Sequence, residues 1–218
     1  MSADSWSLLF KALWETLYMV AFSGGISFLL GIPLGVLLYV TREGRILENR
    51  VANLVLGGIV NAGRSVPFII LMVAIIPLTR LLTGTSIGTT AAIVPLTVAA
   101  IPFVARIAEG ALNEVPSGLV EAAQSMGASP LQIVTRVLLP EARPGLINGM
   151  TITLVTLVSY SAMAGAIGGG GLGDLGIRYG YQRFDGVIML ATVVVLIALV
   201  QLLQMVGDRL QQHYDRSH

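Results

Sequence analysis

The sequence predicts an all-α integral membrane protein with five transmembrane helices, and three observations carry that expectation. Of 218 residues, 55% are hydrophobic and only 11% are charged, less than half the share of about 25% found in ordinary soluble domains. A chain of this length has too much surface for its volume to hide so apolar a composition inside a water-soluble fold. Apolar runs close to the roughly 20 residues that a spanning helix needs then recur at 16–40, 60–79, 88–105, 146–165 and 187–207.

The first run follows Asp4, Lys11 and Glu15. Its length of about 25 residues exceeds the 7–15 of a signal-peptide core, so it reads as a retained span. Within it Ser23, Ser27, Gly31 and Gly35 recur every fourth residue, a small-residue column that lets another helix backbone come close. Pro33 lies in the same run. The second run contains Arg64, about 6 Å along a helix that starts at Val60, where a long side chain can snorkel to the inner surface or stand near a gate. Pro95 and Pro102 interrupt the third, which membranes tolerate where neighbours satisfy the freed carbonyls. Kinking is their ordinary use.

Five spans put the termini on opposite sides. With the N-terminus outside and the C-terminus inside, the inner segments hold eight of the Lys and Arg residues, Arg42, Arg136 and Arg216 among them, against four outside, Lys11, Arg80, Arg178 and Arg183. The positive-inside bias selects that orientation, which places residues 106–145 in the cytoplasm.

That segment is more specified than a passive loop. Leu119, Ala122, Ala123 and Met126 follow the i, i+3, i+4, i+7 pattern of one apolar helix face. Gly127 sits where a left-handed helix end belongs. Ser129 before Pro130 is a cap with a first-turn proline, opening a second helix that runs to Leu139 and is closed by Pro140. The pattern alone fits a docking surface or an element lying on the membrane. A DNA-binding helix-turn-helix needs more basic and amide side chains than Gln132 and Arg136 supply, and a net charge of +1 lacks the basic footprint of a nucleic-acid partner.

Enzymatic chemistry finds little support. There is no cysteine. The histidines, His213 and His218, lie in the tail, Glu109 and Glu114 flank the third run, and no cluster has metal-ligand spacing. The only lysine, Lys11, stands outside any G-x-x-x-x-G-K-[ST] loop, so ATP hydrolysis belongs to another chain. Gly168, Gly170 and Gly173 match G-x-G-x-x-G, but the dinucleotide fingerprint needs a preceding strand. Here the glycines suit a tight loop in close backbone contact. A proton- or sodium-coupled secondary amino-acid carrier acting without an ATPase is the rival reading. It calls for an acidic relay residue in mid-membrane, and none of the five runs contains one.

Glu121, Ala122 and Ala123, then three residues, Gly127, nine residues, and Val137, Leu138, Leu139 and Pro140 resemble the EAA signature of binding-protein-dependent ABC importer permeases, with Val137 in place of an isoleucine. The resemblance implies that the segment is the coupling helix, with Glu121, Ala122, Ala123, Met126, Gly127, Leu139 and Pro140 meeting a cytoplasmic ATPase. RSVPF at 64–68, GTSIG at 84–88 before Pro95, Leu96 and Thr97, and SYSAMAGAIGGGGLGDLG at 159–176 are similar to the methionine importer permeases, a likeness covering most of the chain.

The implied protein is a single transmembrane permease domain over 1–218 with a coupling loop at about 106–145, of type I importer fold. It sits as a multi-pass protein in the bacterial cytoplasmic (inner) membrane. It pairs with a second copy of itself, two P-loop ATPase subunits and an extracytoplasmic methionine-binding protein, and it needs no cofactor or metal. In that family the fourth span lines the route, which makes Tyr160, Ser161 and Met163, with Arg64, candidates for the translocation pathway. Met163 has a flexible thioether suited to a thioether substrate, and helix packing is its plain alternative.

Overall fold

The structure, a computed structural model, describes residues 3–214; Arg216 and His218 lie outside the described residues. The described residues form helices and their connections: α1 Ala3–Val40, α2 Arg50–Ser65, α3 Phe68–Ala74, α4 Ile76–Thr83, α5 Thr89–Asn113, α6 Ser117–Ser125, α7 Pro130–Ile133, α8 Leu139–Glu141, α9 Arg143–Ala166, α10 Gly171–Leu175 and α11 Gly186–Tyr214. Four of these, α1, α5, α9 and α11, are long and apolar enough to cross a membrane, and α2 with α3, bent by 102° between them, makes a fifth if the pair is one broken span rather than a re-entrant loop.

The central pair is α1 against α5. Ser23 and Ser27 are fully buried between them, and the Ser27 hydroxyl donates to the Ser23 carbonyl at 2.6 Å and reaches the Thr97 carbonyl of α5 at 3.3 Å. At Gly35 the backbones approach so closely that a Cβ would stand 2.5 Å from the Ala105 carbonyl oxygen. The small-residue column is therefore the face buried on α5. Helix α1 starts at Ala3 rather than at residue 16, and its 38 residues extend about 57 Å. Its polar first turns continue the helix because their charges are used: Lys11 faces Glu15 at 3.9 Å, and Glu15 holds the loop described below.

The second expected span, 60–79, is not one straight helix. Helix α2 begins ten residues earlier, at Arg50, with the Asn49 side chain accepting from the Ala52 amide. It stops because Pro67 disfavours the helical region for the residue before it, and Val66 is extended at φ −88°, ψ 124°. Arg64 consequently lies about 21 Å along α2 from Arg50, in its last turn beside the bend and exposed, rather than about 6 Å from the start of its helix. Arg106 of α5 ties α2 down, pairing with Glu109 at 2.6 Å and donating to the Asn61 side chain at 2.9 Å.

At the end of the bundle opposite α6 and α7, the glycine loop that opens α10 is held by the first turns of α1. The Gly171 amide donates to the Glu15 carboxylate at 2.8 Å and the Leu172 amide to the Thr16 hydroxyl at 2.9 Å. Gly171 has φ +78° and faces the Thr16 side chain at 2.7 Å from its missing Cβ, so both the turn and the approach require glycine.

Candidate functional site

Between α5 and α9 the chain builds a two-helix element at one end of the bundle. Its turn closes with paired backbone bonds: the Gly127 amide donates to the Gln124 carbonyl at 2.9 Å and the Ala128 amide to the Ala123 carbonyl at 3.0 Å. This is the Schellman arrangement, and Gly127 supplies the left-handed φ of +78° that it needs. The next helix starts with a capping box, in which the Gln132 amide donates to the Ser129 hydroxyl at 3.4 Å and the Ser129 amide donates to the Gln132 side chain at 2.8 Å.

Pro140 does not close that helix. The backbone runs on through a π-helical turn, Val134–Leu138, to Glu141, with the Leu139 amide donating to the Val134 carbonyl. Proline has no N–H to donate and its ring excludes the carbonyl four residues earlier. The widened turn before it gives the ladder another register. The break comes at Ala142, after which α9 begins at Arg143.

Ala123, Ile133, Leu138 and Ala142 are buried against Tyr39, Val40, Leu112 and Val115 at the ends of α1 and α5. Arg45 reinforces the seat, donating to the Tyr39 hydroxyl at 2.8 Å and to Asn113 at 3.1 Å. The element is therefore packed onto the ends of α1 and α5 rather than held by its connections alone. Of the expected apolar face only Ala123 turns inward; Glu121, Ala122 and Gly127 are exposed, as are Leu119 and, at 81%, Met126. Leu139 and Pro140 are half-buried behind this surface. What the element presents is a small-residue ridge flanked by a carboxylate and an exposed methionine, while Leu138 of the signature, with Tyr39 and Ile133, which sequence reasoning missed, holds it up.

The four path candidates are placed differently. Tyr160 stacks on Phe68 of α3, ring centroids 4.6 Å apart and planes 5° from parallel. Ser161 is buried and donates to the Val158 carbonyl at 2.7 Å. Met163 is 47% exposed. Successive helix residues turn by about 100°, so Ser161 faces into the chain while Met163 faces out of it. Arg64 stands apart on α2 and makes no ion pair with a described residue. Among the described residues no group of acidic, histidine or cysteine side chains could hold a metal ion.

The described residues define a polytopic helical membrane subunit with a packed helix pair at one end of its spans. The comparisons specify which. Residues 31–217 match the family described as binding-protein-dependent transport system inner membrane component, and the chain belongs to that family. It is 65% identical over 208 residues, covering 95% of this chain and 92% of the relative, to the probable D-methionine transport system permease protein MetI of Vibrio cholerae. It is 52% identical to the protein of the same name from Pasteurella multocida, with 99% of each chain covered. Among solved structures, a chain of the inward-facing MetNI methionine ABC transporter superposes with a TM-score of 0.97 at 54% identity, over 99% of this chain and 100% of that one. An amino acid ABC transporter at 18% identity, TM-score 0.77, over 98% of this chain and 100% of that one, shares the fold.

Proposed function

We propose that this chain is the permease subunit of an ATP-driven methionine importer, accepting D-methionine, and that it works as a two-fold homodimer with two P-loop ATPase subunits and an extracytoplasmic methionine-binding protein. The observation that carries the reading is the near-complete superposition, at 54% identity, on a chain of a methionine ABC transporter. The relatives named for D-methionine transport support the substrate. The chain is non-catalytic. Over 1–218 it is a single membrane domain that supplies the path, and the ATPase supplies the energy.

The N-terminus lies outside and the C-terminus inside, so the loop at about 106–145 meets the ATPase in the cytoplasm. Glu121, Ala122, Ala123, Met126 and Gly127 form the contact surface, with Leu139 and Pro140 behind them. Its support is the exposure of Ala122 and Met126: small side chains let a helix sit deep in a partner's cleft, and a thioether adapts to its wall. Met163 and Tyr160 line the route, Arg64 borders it at the bend of the second crossing, and Ser161 lends that stretch of α9 its polarity from within.

Proteoliposomes containing this chain, its ATPase and its binding protein test the reading. Labelled methionine should accumulate only with ATP inside and a hydrolysis-competent ATPase, should continue when ionophores collapse proton and sodium gradients, and should be displaced by unlabelled D-methionine. Uptake driven by an ion gradient without the ATPase would establish the secondary carrier instead.

A further inference from the structure

Helix α1 is longer than a hydrocarbon core is thick. Arg42, Arg45 and Arg50 follow its last residue, Val40, and mark one membrane surface. Counting back from Val40, Trp14 stands about 39 Å and Lys11 about 44 Å along the helix, against about 30 Å for the hydrocarbon and about 40–45 Å with both headgroup layers. The first turns of α1 therefore lie at the depth of the opposite headgroups. Their surface agrees. Trp6, Phe10 and Trp14, spaced by one helical turn, are all exposed, and they include both tryptophans of the chain, a residue enriched at membrane–water interfaces. Tyr181 and Phe184 add exposed rings at the same end.

Between these turns and the glycine loop lies a polar cavity of about 290 Å³, lined by Leu8, Lys11, Glu15, Thr89, Asp174 and Arg178 among others. Its charged groups are two cations and two carboxylates, and they do not exhaust one another. Lys11 stands 3.9 Å from Glu15, too far for a hydrogen bond, and Glu15 accepts from the Gly171 amide instead. Arg178 donates to Asp174 through Nε and one terminal nitrogen, which leaves its other terminal nitrogen for a ligand. The carboxylates are sheltered, with the Glu15 side chain 25% and the Asp174 side chain 19% exposed, whereas those of Lys11 and Arg178 are 75% and 54% exposed. Cations at the rim and carboxylates behind them suit a zwitterion that leads with its ammonium and follows with its phosphate. Trp14 and Leu17, one turn and nearly two turns from Lys11 and both exposed, continue the surface toward the hydrocarbon.

We propose that this cavity binds the headgroup of a phospholipid carrying a primary ammonium, phosphatidylethanolamine, in the outer leaflet. Lys11 and Arg178 take the phosphate, Asp174 and Glu15 receive the ammonium, and the acyl chains descend beside Trp14 and Leu17. Glycerol headgroups lack the cation that the carboxylates need, and choline has no N–H to donate. The lipid bridges α1 to α10 and so braces the loop that Glu15 holds. The importer reading supplies the leaflet, through its outside N-terminus, and the cavity alone supplies the location.

The delipidated complex of this chain with its ATPase is titrated in detergent with phosphatidylethanolamine, and bound lipid is counted by native mass spectrometry. The parent should hold one such lipid per copy of this chain at least about tenfold more tightly than phosphatidylglycerol or phosphatidylcholine, the worth of one charge-assisted hydrogen bond, and the lipid should raise its melting midpoint. Lys11→Ala, which removes an exposed side chain, should weaken binding by about tenfold by the same measure, and Lys11→Arg should restore it. Asp174→Asn should erase most of the preference for ethanolamine over choline. A parent that takes the three lipids alike, or Lys11→Ala binding with the parent's affinity, would overturn the site. Soluble glycerophosphoethanolamine bound as tightly as the lipid would replace the membrane with a water-borne ligand, and Lys11→Cys shielded from a thiol reagent by the binding protein in lipid-free complex would give the cavity to that partner. Methionine uptake by the parent in vesicles of phosphatidylethanolamine and phosphatidylglycerol reads the importer separately: uptake without lipid preference removes the site alone, and lipid preference without uptake removes the importer alone.

Discussion

Gly127 shows how one residue's backbone can carry a function. Its φ of +78° belongs to the left-handed region, and nothing lies within 4 Å of where a Cβ would stand. Substitution there changes backbone energy and no packing. Gly127→Val costs about 1–2 kcal/mol if the turn is kept, or else the helix pair reorients; insertion and assembly of the spans survive while uptake falls and ATP hydrolysis becomes uncoupled. Gly127→Asn, which enters that region more readily, should be milder. Both are read by uptake and hydrolysis in the same vesicles, and valine transporting as well as glycine would remove the turn from the account. Met163 offers a complementary case. Because its side chain is half exposed, Met163→Ala should leave assembly and thermal stability within about 0.5 kcal/mol while changing uptake or its ratio to hydrolysis. If neither moves, the thioether has no part in the route. Gly127 and Ser129 were legible in the sequence because turn and cap chemistry is local. Glu15 was not, since the amide it holds lies 156 residues away.

Among the elements, α1 is set by its column of small residues, which can be tested by sign. A Cβ at Gly35 would press on backbone, 2.5 Å from the Ala105 oxygen, whereas one at Gly25 meets nothing within 4 Å. Gly35→Ala should therefore lower the melting midpoint of the purified subunit. Gly25→Ala should raise it, by up to the 1 kcal/mol or so by which alanine exceeds glycine in helix propensity. Equal responses would mean that the α1–α5 contact is looser than the structure has it. The column was readable from spacing alone, as were α5, α9 and α11. The start of α2 was not, because a search for apolar runs passes over Arg50 and Asn53, although the Asn53 side chain is held by the Leu38 carbonyl and the Thr41 hydroxyl at the end of α1. The stop itself was written in Val66 and Pro67. The π-helical turn before Pro140 left no local mark, since a proline that ends one helix and a proline that widens another look alike in sequence.

For the molecule as a whole, the glycine loop and the α6–α7 pair lie at opposite ends of α1, and the orientation fixes which of them meets the cytoplasm. Gln182 and Ser125 are exposed at those two ends. With no native cysteine to interfere, Gln182→Cys should react with an impermeant thiol reagent in intact cells and Ser125→Cys only after lysis; the reverse pattern would invert the topology. The fold class and the helix–turn–helix of α6 and α7 were visible in composition and in the turn and capping residues Gly127, Ser129 and Pro130. Methionine was legible only through the resemblance of 64–68, 84–88 and 159–176 to methionine importer permeases and not through composition or spacing, because an amino-acid path is made of surfaces that only three-dimensional packing defines. We propose that the exposed ridge of α6 couples ATP hydrolysis to the spans, and Met126, 81% exposed, is the place to test it. With Met126→Cys and a cysteine-reactive crosslinker in the assembled transporter, the account predicts a covalent product of this chain with the ATPase, and methionine uptake that stops as the product forms. Uptake at full rate with position 126 crosslinked to nothing would contradict it.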